Sequence, residues 1–291
     1  MFAFFANLFG YLLNFLYNII QNYGFSIIIF SIIVKIALLP ISINQQKTMK
    51  KTAKVQDELK KLQIKNKNNP EALQRETMEL YKREKMNPFG GCFTAIVQFI
   101  LLISVFYLIR CPLTYMKKVE PELMEKYTQE LSEGEDSKKD PYVEISIIRE
   151  KAAEDDNVFI NMEFLGLDLS SIPSRDLSDW RTYVIPVLYV ITTFISIRIT
   201  TSMQKKQKSD SGNESGEGQE IDIMMQTNKN MSLMMPILAV SISLVAPLGL
   251  ALYWLTNNII MIAERLLLNV LIKDEEEEVD AWFENIWRKD Y

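Results

Sequence analysis

The sequence predicts an all-α polytopic membrane protein, with five transmembrane helices around a polar cavity and a helical hairpin on the cytoplasmic side. Three observations carry this. The apolar residues of the 291-residue chain fall in runs near the ~20 residues that cross a ~30 Å hydrocarbon core, not in amphipathic periods. The connections differ in charge: residues 44–90 hold 12 Lys+Arg against 6 Asp+Glu, whereas residues 111–180 hold 8 against 17. Finally, Lys35 sits deep inside one apolar run, where a charge calls for a hydrated interior.

Taken in order, residues 1–22 carry Asn7, Asn14, Asn18 and Gln21 on one face of a helix whose remainder is apolar, a pattern suited to the bilayer interface. The stretch has neither the basic start nor the small-residue cleavage site of a signal peptide, and no cysteine follows it to accept a lipid. Spans are expected at 25–43, 92–110, 181–198, 231–246 and 248–272. Lys and Arg are retained on the cytoplasmic side, so the 44–90 segment is inside. The N-terminus and the acidic 111–180 region are then outside, and the 199–230 linker and the acidic 273–291 tail inside. Ala246-Pro247-Leu248-Gly249 leaves room only for a tight outer turn.

The 44–90 segment reads as a helical hairpin, with Val55, Leu59 and Leu62 on one arm and Leu73, Thr77, Leu80 and Tyr81 on the other. Asn68 or Asn69 can cap the second arm, with Pro70 in its first turn and Glu71 near the positive end of its dipole. Residues 204–218 have a linker's composition. The acidic stretch from Pro121 to Asn161 has helix-like composition and reads as an inserted outer subdomain or hairpin. In the tail, Val279, Trp282, Phe283, Ile286 and Trp287 follow a run of glutamates at helical spacing.

Histidine is absent, which excludes Ser-His-Asp and Cys-His catalysis and histidine metal sites. Cys92 and Cys111 flank one span, about 28 Å apart if helical, too far for a disulfide. No nucleotide motif and no cofactor motif is found, so a non-enzymatic role is expected. Lys35 is the eleventh of nineteen residues in its run, where a charge costs about 2.5–3.5 kcal/mol on insertion scales. Glu264, the only acid in any span, lies toward an inner end beside Arg265. Ser31 shares the face of Lys35, and Pro40 leaves the Ile36 carbonyl without its usual helical donor. In the fifth span Tyr253, Asn257 and Glu264 form one stripe, and Trp254, Asn258 and Arg265 the next. Gln98 and Ser196 add uncharged polar groups to the second and third spans. Such groups serve as interhelical hydrogen bonds or as the lining of a cavity. A small-solute or ion transporter built on Lys35 is the alternative reading, but the spans show no inverted repeat.

Met234-Met235-Pro236, followed by Pro247-Leu248-Gly249-Leu250-Ala251-Leu252-Tyr253-Trp254 and Asn257, resembles the closing signature of the YidC/Oxa/Alb membrane protein insertases. Tyr81 through Cys92 with Gln98 is similar to the approach to that family's second conserved span, and Asn22-Tyr23-Gly24 through Leu39-Pro40 to its first. Phe164-Leu165-Gly166-Leu167-Asp168-Leu169 resembles the approach to its third. The resemblance runs in order over nearly the whole chain and is to the five-span bacterial type.

The resemblance implies a bundle around a hydrophilic groove, open to cytoplasm and lipid and closed outside, that helps hydrophobic segments of new proteins enter the bacterial cytoplasmic membrane. Lys35 matches the family's groove cation, usually an arginine. Ser31, Ser196 and Trp254 fall at groove or substrate-contact positions, and the 44–90 hairpin at the mobile cytoplasmic hairpin needed for activity. Gln98, Tyr253 and Asn257 complete the expected groove set. Ser196 stands where glutamine is common, and Phe93-Thr94 replaces the usual Leu-Pro. Implied partners are nascent membrane proteins and the lipid bilayer, with the Sec translocon and the ribosome as further candidates. The acidic tail does not favour ribosomal RNA.

Overall fold

The protein's structure, a computed structural model, describes residues 1–67, 69–84, 90–132, 140–209 and 241–287. It is dominated by helix. Helix α1 (Phe2–Ile20) ends at Gln21, whose left-handed φ of 57° turns the chain directly into α2 (Tyr23–Lys65). α2 runs through Pro40, joining the first apolar run to the first arm of the hairpin in one 43-residue helix. The proline removes one backbone bond but leaves the periodic pattern on either side intact. α3 (Pro70–Arg83) is capped by Asn69, whose side chain accepts from the Ala72 N–H at 3.1 Å.

Beyond α4 (Gly90–Arg110) lie a π-helical turn (Leu113–Lys117), α5 (Pro121–Ser132) and α6 (Val143–Lys151). A short antiparallel hairpin follows, β1 (Glu163–Phe164) with β2 (Leu167–Asp168). Next come a 3-10 turn (Trp180–Tyr183), α7 (Val184–Ser209), a helical stretch at 241–245 and α8 (Leu248–Trp287). Three helical segments among the described residues are long and apolar enough to cross a membrane: Phe2–Ile20, Tyr23–Gln46 and Trp180–Ser202. Ile96–Arg110 is a shorter apolar helix. Most of the span expected at 231–246, the linker beyond residue 209 and the tail's side chains lie outside the described residues.

The chain divides into two compact units. The first comprises Met1–Ile36, Ala95–Phe194 and Lys229–Asn258. Its core draws Tyr23, Ile27 and Phe30 from α2, Val105, Leu108 and Ile109 from α4, Ile145 and Ile148 from α6, and Leu248 and Leu252 from α8. Helix α1 lies against this core through Leu13, Leu16 and Tyr17, while Phe4, Leu8, Tyr11, Phe15 and Ile19 form an exposed apolar stripe on another face. Its contacts with the 111–180 segment run along most of its length. The Lys118 ammonium donates to the Asn7 side chain, Gly10 lies against the Tyr115 carbonyl, and the Tyr17 hydroxyl accepts from the Asn161 N–H at 2.8 Å. The Gln21 carbonyl accepts from the Asn161 side chain at 3.0 Å.

Within the same unit, Glu144 reaches from α6 to the start of the π-helical turn. Its carboxylate, 5 % exposed, accepts from the Leu113 and Thr114 N–H groups at 2.8 and 3.0 Å and from the Thr114 hydroxyl at 2.6 Å. Burial raises its pKa above the ordinary carboxylate value, and these bonds oppose that rise. The adjacent Cys111 thiol is pushed up to about 12, by burial first and by the charge of Glu144 second. Further along, the backbone of 169–174 pairs with the turn before α8: the Leu248 N–H donates to Ser171, Gly249 to Leu169, and Ser174 to Leu244.

The second unit comprises Ala37–Thr94, Ile195–Asn228 and Ile259–Tyr291. Its hairpin buries Val55 on α2 and Leu80 on α3. Glu58 pairs with Arg83, and Lys65 with Glu76 at 3.1 Å. These pairs lie seven residues apart on each arm, as two antiparallel helices in register require. The Asn66 amide also donates to Glu76, and this bond, then that from Lys65, holds the Glu76 carboxyl below its ordinary range.

Candidate functional site

Of the seven residues that the sequence nominates, six lie in the first unit and Ser196 in the second. Lys35 is half-buried on α2, one helical turn beyond Ser31 on the same face. Ser31 is 2 % exposed, and its hydroxyl donates to the Ile27 carbonyl of its own helix at 2.7 Å. Its hydroxyl is therefore engaged by its own helix and offers no free donor beside Lys35. Gln98 is exposed on α4.

On α8, Tyr253 is buried and hydrogen-bonded to Asn257, so these two form a local pair. Trp254, half-buried, lies beside Tyr189 of α7 with ring centroids 6.1 Å apart. One position past Asn257, the buried Asn258 amide donates to the Thr193 hydroxyl at 2.9 Å and to the Thr192 hydroxyl at 3.2 Å. Two turns further, in the second unit, the Arg265 guanidinium donates to the Thr200 hydroxyl and, at a long 3.5 Å, to the Ser196 hydroxyl. Ser196 is itself buried.

The two stripes of α8 therefore do different work. Trp254, Asn258 and Arg265 face α7 and bind it. Thr192, Thr193 and Thr200, the partners that complete this clasp, carry no signal of their own in the sequence, because threonine is common in apolar helices as a self-satisfied hydroxyl. Tyr253 with Asn257 on α8, and Ser31 with Lys35 on α2, are the polar groups of two further stripes. The groups these helices carry are a lysine ammonium and a hydroxyl on α2, and hydroxyl, amide and indole groups on α7 and α8. Such a set can solvate a polar or acidic group for a short time but holds no nucleophile with an activating base. Among the described residues no three His, Cys, Asp or Glu side chains gather as a metal site would need.

Comparison with known proteins addresses the same residues as a whole. The sequence profile of the family described as "60Kd inner membrane protein" matches residues 15–276. The chain is 28% identical over 256 residues to a protein of Caldanaerobacter subterraneus subsp. tengcongensis named "Membrane protein insertase YidC", which covers 88% of this chain and 89% of that one. A protein of the same name from Fusobacterium nucleatum subsp. nucleatum is 27% identical over 256 residues, 88% of this chain and 90% of its own. Against the Citrifermentans bemidjiense protein of that name identity is 29% over 263 residues, and the match spans 90% of this chain but only 36% of the longer relative. A profile match over nearly the whole chain shows that it belongs to the 60Kd inner membrane protein family, the YidC/Oxa/Alb insertases.

Proposed function

We propose that the protein is a membrane protein insertase, helping hydrophobic segments of newly made proteins into the cytoplasmic membrane without covalent chemistry. The observation that carries the reading is Lys35, a cation on the face of Ser31 midway along the apolar Tyr23–Gln46 segment. A charge there is costly unless water reaches it, and a hydrated cation lowers the cost of bringing a substrate's polar or acidic flank part-way across. The apolar segment of the substrate then moves into lipid, releasing about 25 cal/mol per Å² buried, with the membrane potential acting on acidic flanks. Lys35, Ser31, Gln98, Ser196, Tyr253, Trp254 and Asn257 form the groove set in this proposal, and α8's second stripe holds α7 as one wall. Nothing favours the solute-transporter alternative.

The proposed topology places the N-terminus and 111–180 outside and the hairpin and tail inside. Backbone bonds support one part of it. The start of α2 is tied to Asn161 and the turn before α8 to 169–174, so the three connections that this topology puts on one side are joined by backbone bonds. The same bonds support the interfacial placement of α1, whose contacts with 113–118 and 161 extend from Asn7 to Gln21, about 21 Å of helix. A helix crossing the bilayer would carry one end away from that layer. The Sec translocon and the ribosome are proposed as further partners, the latter without help from the acidic tail.

The test is insertion of matched single-span substrates, differing only in the charge of a short outer tail, into vesicles holding each variant at equal abundance. Lys35→Arg should preserve insertion, since it keeps the charge. Lys35→Met should reduce it, most for acidic tails and least for neutral ones. Equal activity of Lys35→Met and the parent across all tails would remove Lys35 from the mechanism.

A further inference from the structure

The hairpin between β1 and β2 has a composition at odds with water. Its two central residues, Leu165 and Gly166, both have positive φ, 53° and 78°. Asn-Gly is the usual occupant of such a turn, because a leucine gains nothing from the left-handed region and cannot bond to its own backbone. Here the strained position carries a leucine that is 77 % exposed. Two more large apolar side chains stand out before α7: Leu177 at 72 % and Trp180 at 74 % exposure. Strand β2 packs beside the 3-10 turn that begins at Trp180.

The neighbours of the hairpin fix its level. Phe164, the residue before the tip, is buried against Gly24, where a Cβ would stand 2.4 Å from its ring, and its ring meets Phe25 edge-on at 5.1 Å. The Asn22 side chain donates to the Glu163 carbonyl at 2.6 Å. Gly24 and Phe25 lie in the first turn of the apolar Tyr23–Gln46 segment, and Phe25, Ile29, Ile32 and Ile36 continue from there as an exposed apolar stripe. Trp180 likewise begins the apolar Trp180–Ser202 segment. The hairpin therefore meets the membrane-crossing helices where they leave the hydrocarbon, beside the surface they present to lipid.

We infer that the tip of the β1–β2 hairpin is a lipid-binding wedge: Leu165, flanked by Leu177 and Trp180, enters the headgroup and acyl boundary of the leaflet on the 111–180 side. Lipid is the occupant because the apolar residues are continuous with the lipid-facing stripe of α2 and because tryptophan suits that boundary. The turn keeps a leucine where asparagine would relieve the backbone, since its side chain is removed from water by the bilayer. Naming the leaflet as the outer one rests on the proposed topology; the insertion of the tip does not.

The experiment uses the full chain with Cys92→Ser and Cys111→Ser, reconstituted in phosphatidylethanolamine and phosphatidylglycerol vesicles. A nitroxide is placed in turn at Leu165→Cys and Leu177→Cys, with Ile29→Cys as the hydrocarbon reference and Glu150→Cys as the exposed reference. Power saturation with oxygen and with a water-soluble nickel chelate should give an oxygen-to-nickel accessibility ratio at 165 and 177 several-fold above that at 150 and below that at 29. A ratio at 165 equal to that at 150 overturns the proposal, as does protection from both reagents, which would mean a protein partner or a second copy on the tip. If the labelled chain does not reconstitute, benzoylphenylalanine at position 165 keeps the tip apolar. Irradiation should then yield lipid adducts, and adducts to protein alone, or none, overturn the proposal.

Discussion

The 111–180 layer and the 44–90 hairpin are both polar connections, the first a mixture of short helices, turns and a β-hairpin and the second almost wholly helical, and they are held together by opposite means. In the first, Glu144 is buried with three bonds from the π-helical turn, and Ile145, Ile148, Val158 and Ile160 pack into a core shared with α1, α2 and α4. In the second, among the described residues, the arms bury Val55, Leu80 and Asn66 and are joined by surface charges such as Glu58 with Arg83. A buried, satisfied carboxylate is costly to break, whereas an exposed ion pair contributes little and is screened by salt. The contrast teaches where rigidity is placed: the 111–180 layer is fixed by burial, and the hairpin is joined by contacts that open at low cost.

The largest effect should come from Glu144→Ala, which leaves the buried Leu113 N–H and the part-buried Thr114 N–H without an acceptor. A loss of about 3 kcal/mol is expected from such groups, read as a lowered thermal midpoint in detergent. Gly10→Ala should come next. Its Cβ would stand 1.9 Å from the Tyr115 carbonyl oxygen, so α1 must shift away from the π-helical turn, at a cost of about 2 kcal/mol. An unchanged midpoint for Gly10→Ala would mean that α1 is not clamped to the 111–180 layer.

The third prediction concerns pH. Burial raises the Glu144 pKa, so the folded state holds this proton more tightly than the unfolded chain, whose value is near 4.5. Its contribution to stability therefore grows as pH falls through the raised value toward 4.5 and is absent above it. Thermal midpoints of the parent and of Glu144→Gln should diverge in favour of the parent over that window, the glutamine variant being flat there. The smallest effect is expected in the hairpin, where Arg83→Ala should leave the midpoint unchanged at physiological salt. A hairpin pair as costly to remove as Glu144 would erase the comparison.

A topology measurement sharpens it differently. Cys111 lies on the outer side in the proposed arrangement, but its thiol, at about 12, is a slow target for maleimide. An exposed substitute, Glu150→Cys, should label from outside intact cells with an impermeant reagent, and Lys61→Cys in the hairpin only after permeabilisation. Reversed labelling would overturn the orientation.

How much of this was legible in the sequence depends on the range of the interactions involved. Run length, the alternation of basic and acidic connections, the cap at Asn69 and the depth of Lys35 follow from composition and local spacing, which the chain carries in linear form. The two polar stripes of α8 were legible as stripes too. That the second one meets α7 was decided only by the fold, since Thr192, Thr193 and Thr200 look like ordinary threonines until Asn258 and Arg265 stand opposite them. The continuity of α2 through Pro40, the π-helical turn and the β1–β2 hairpin were likewise invisible, because each depends on partners far along the chain. Glu144 is the clearest case: one glutamate among the 17 acids of the 111–180 segment, it becomes structural only because folding removes it from water and brings the Leu113 and Thr114 N–H groups to it. Desolvation is a property of the packed chain, and no linear pattern encodes which charge will suffer it.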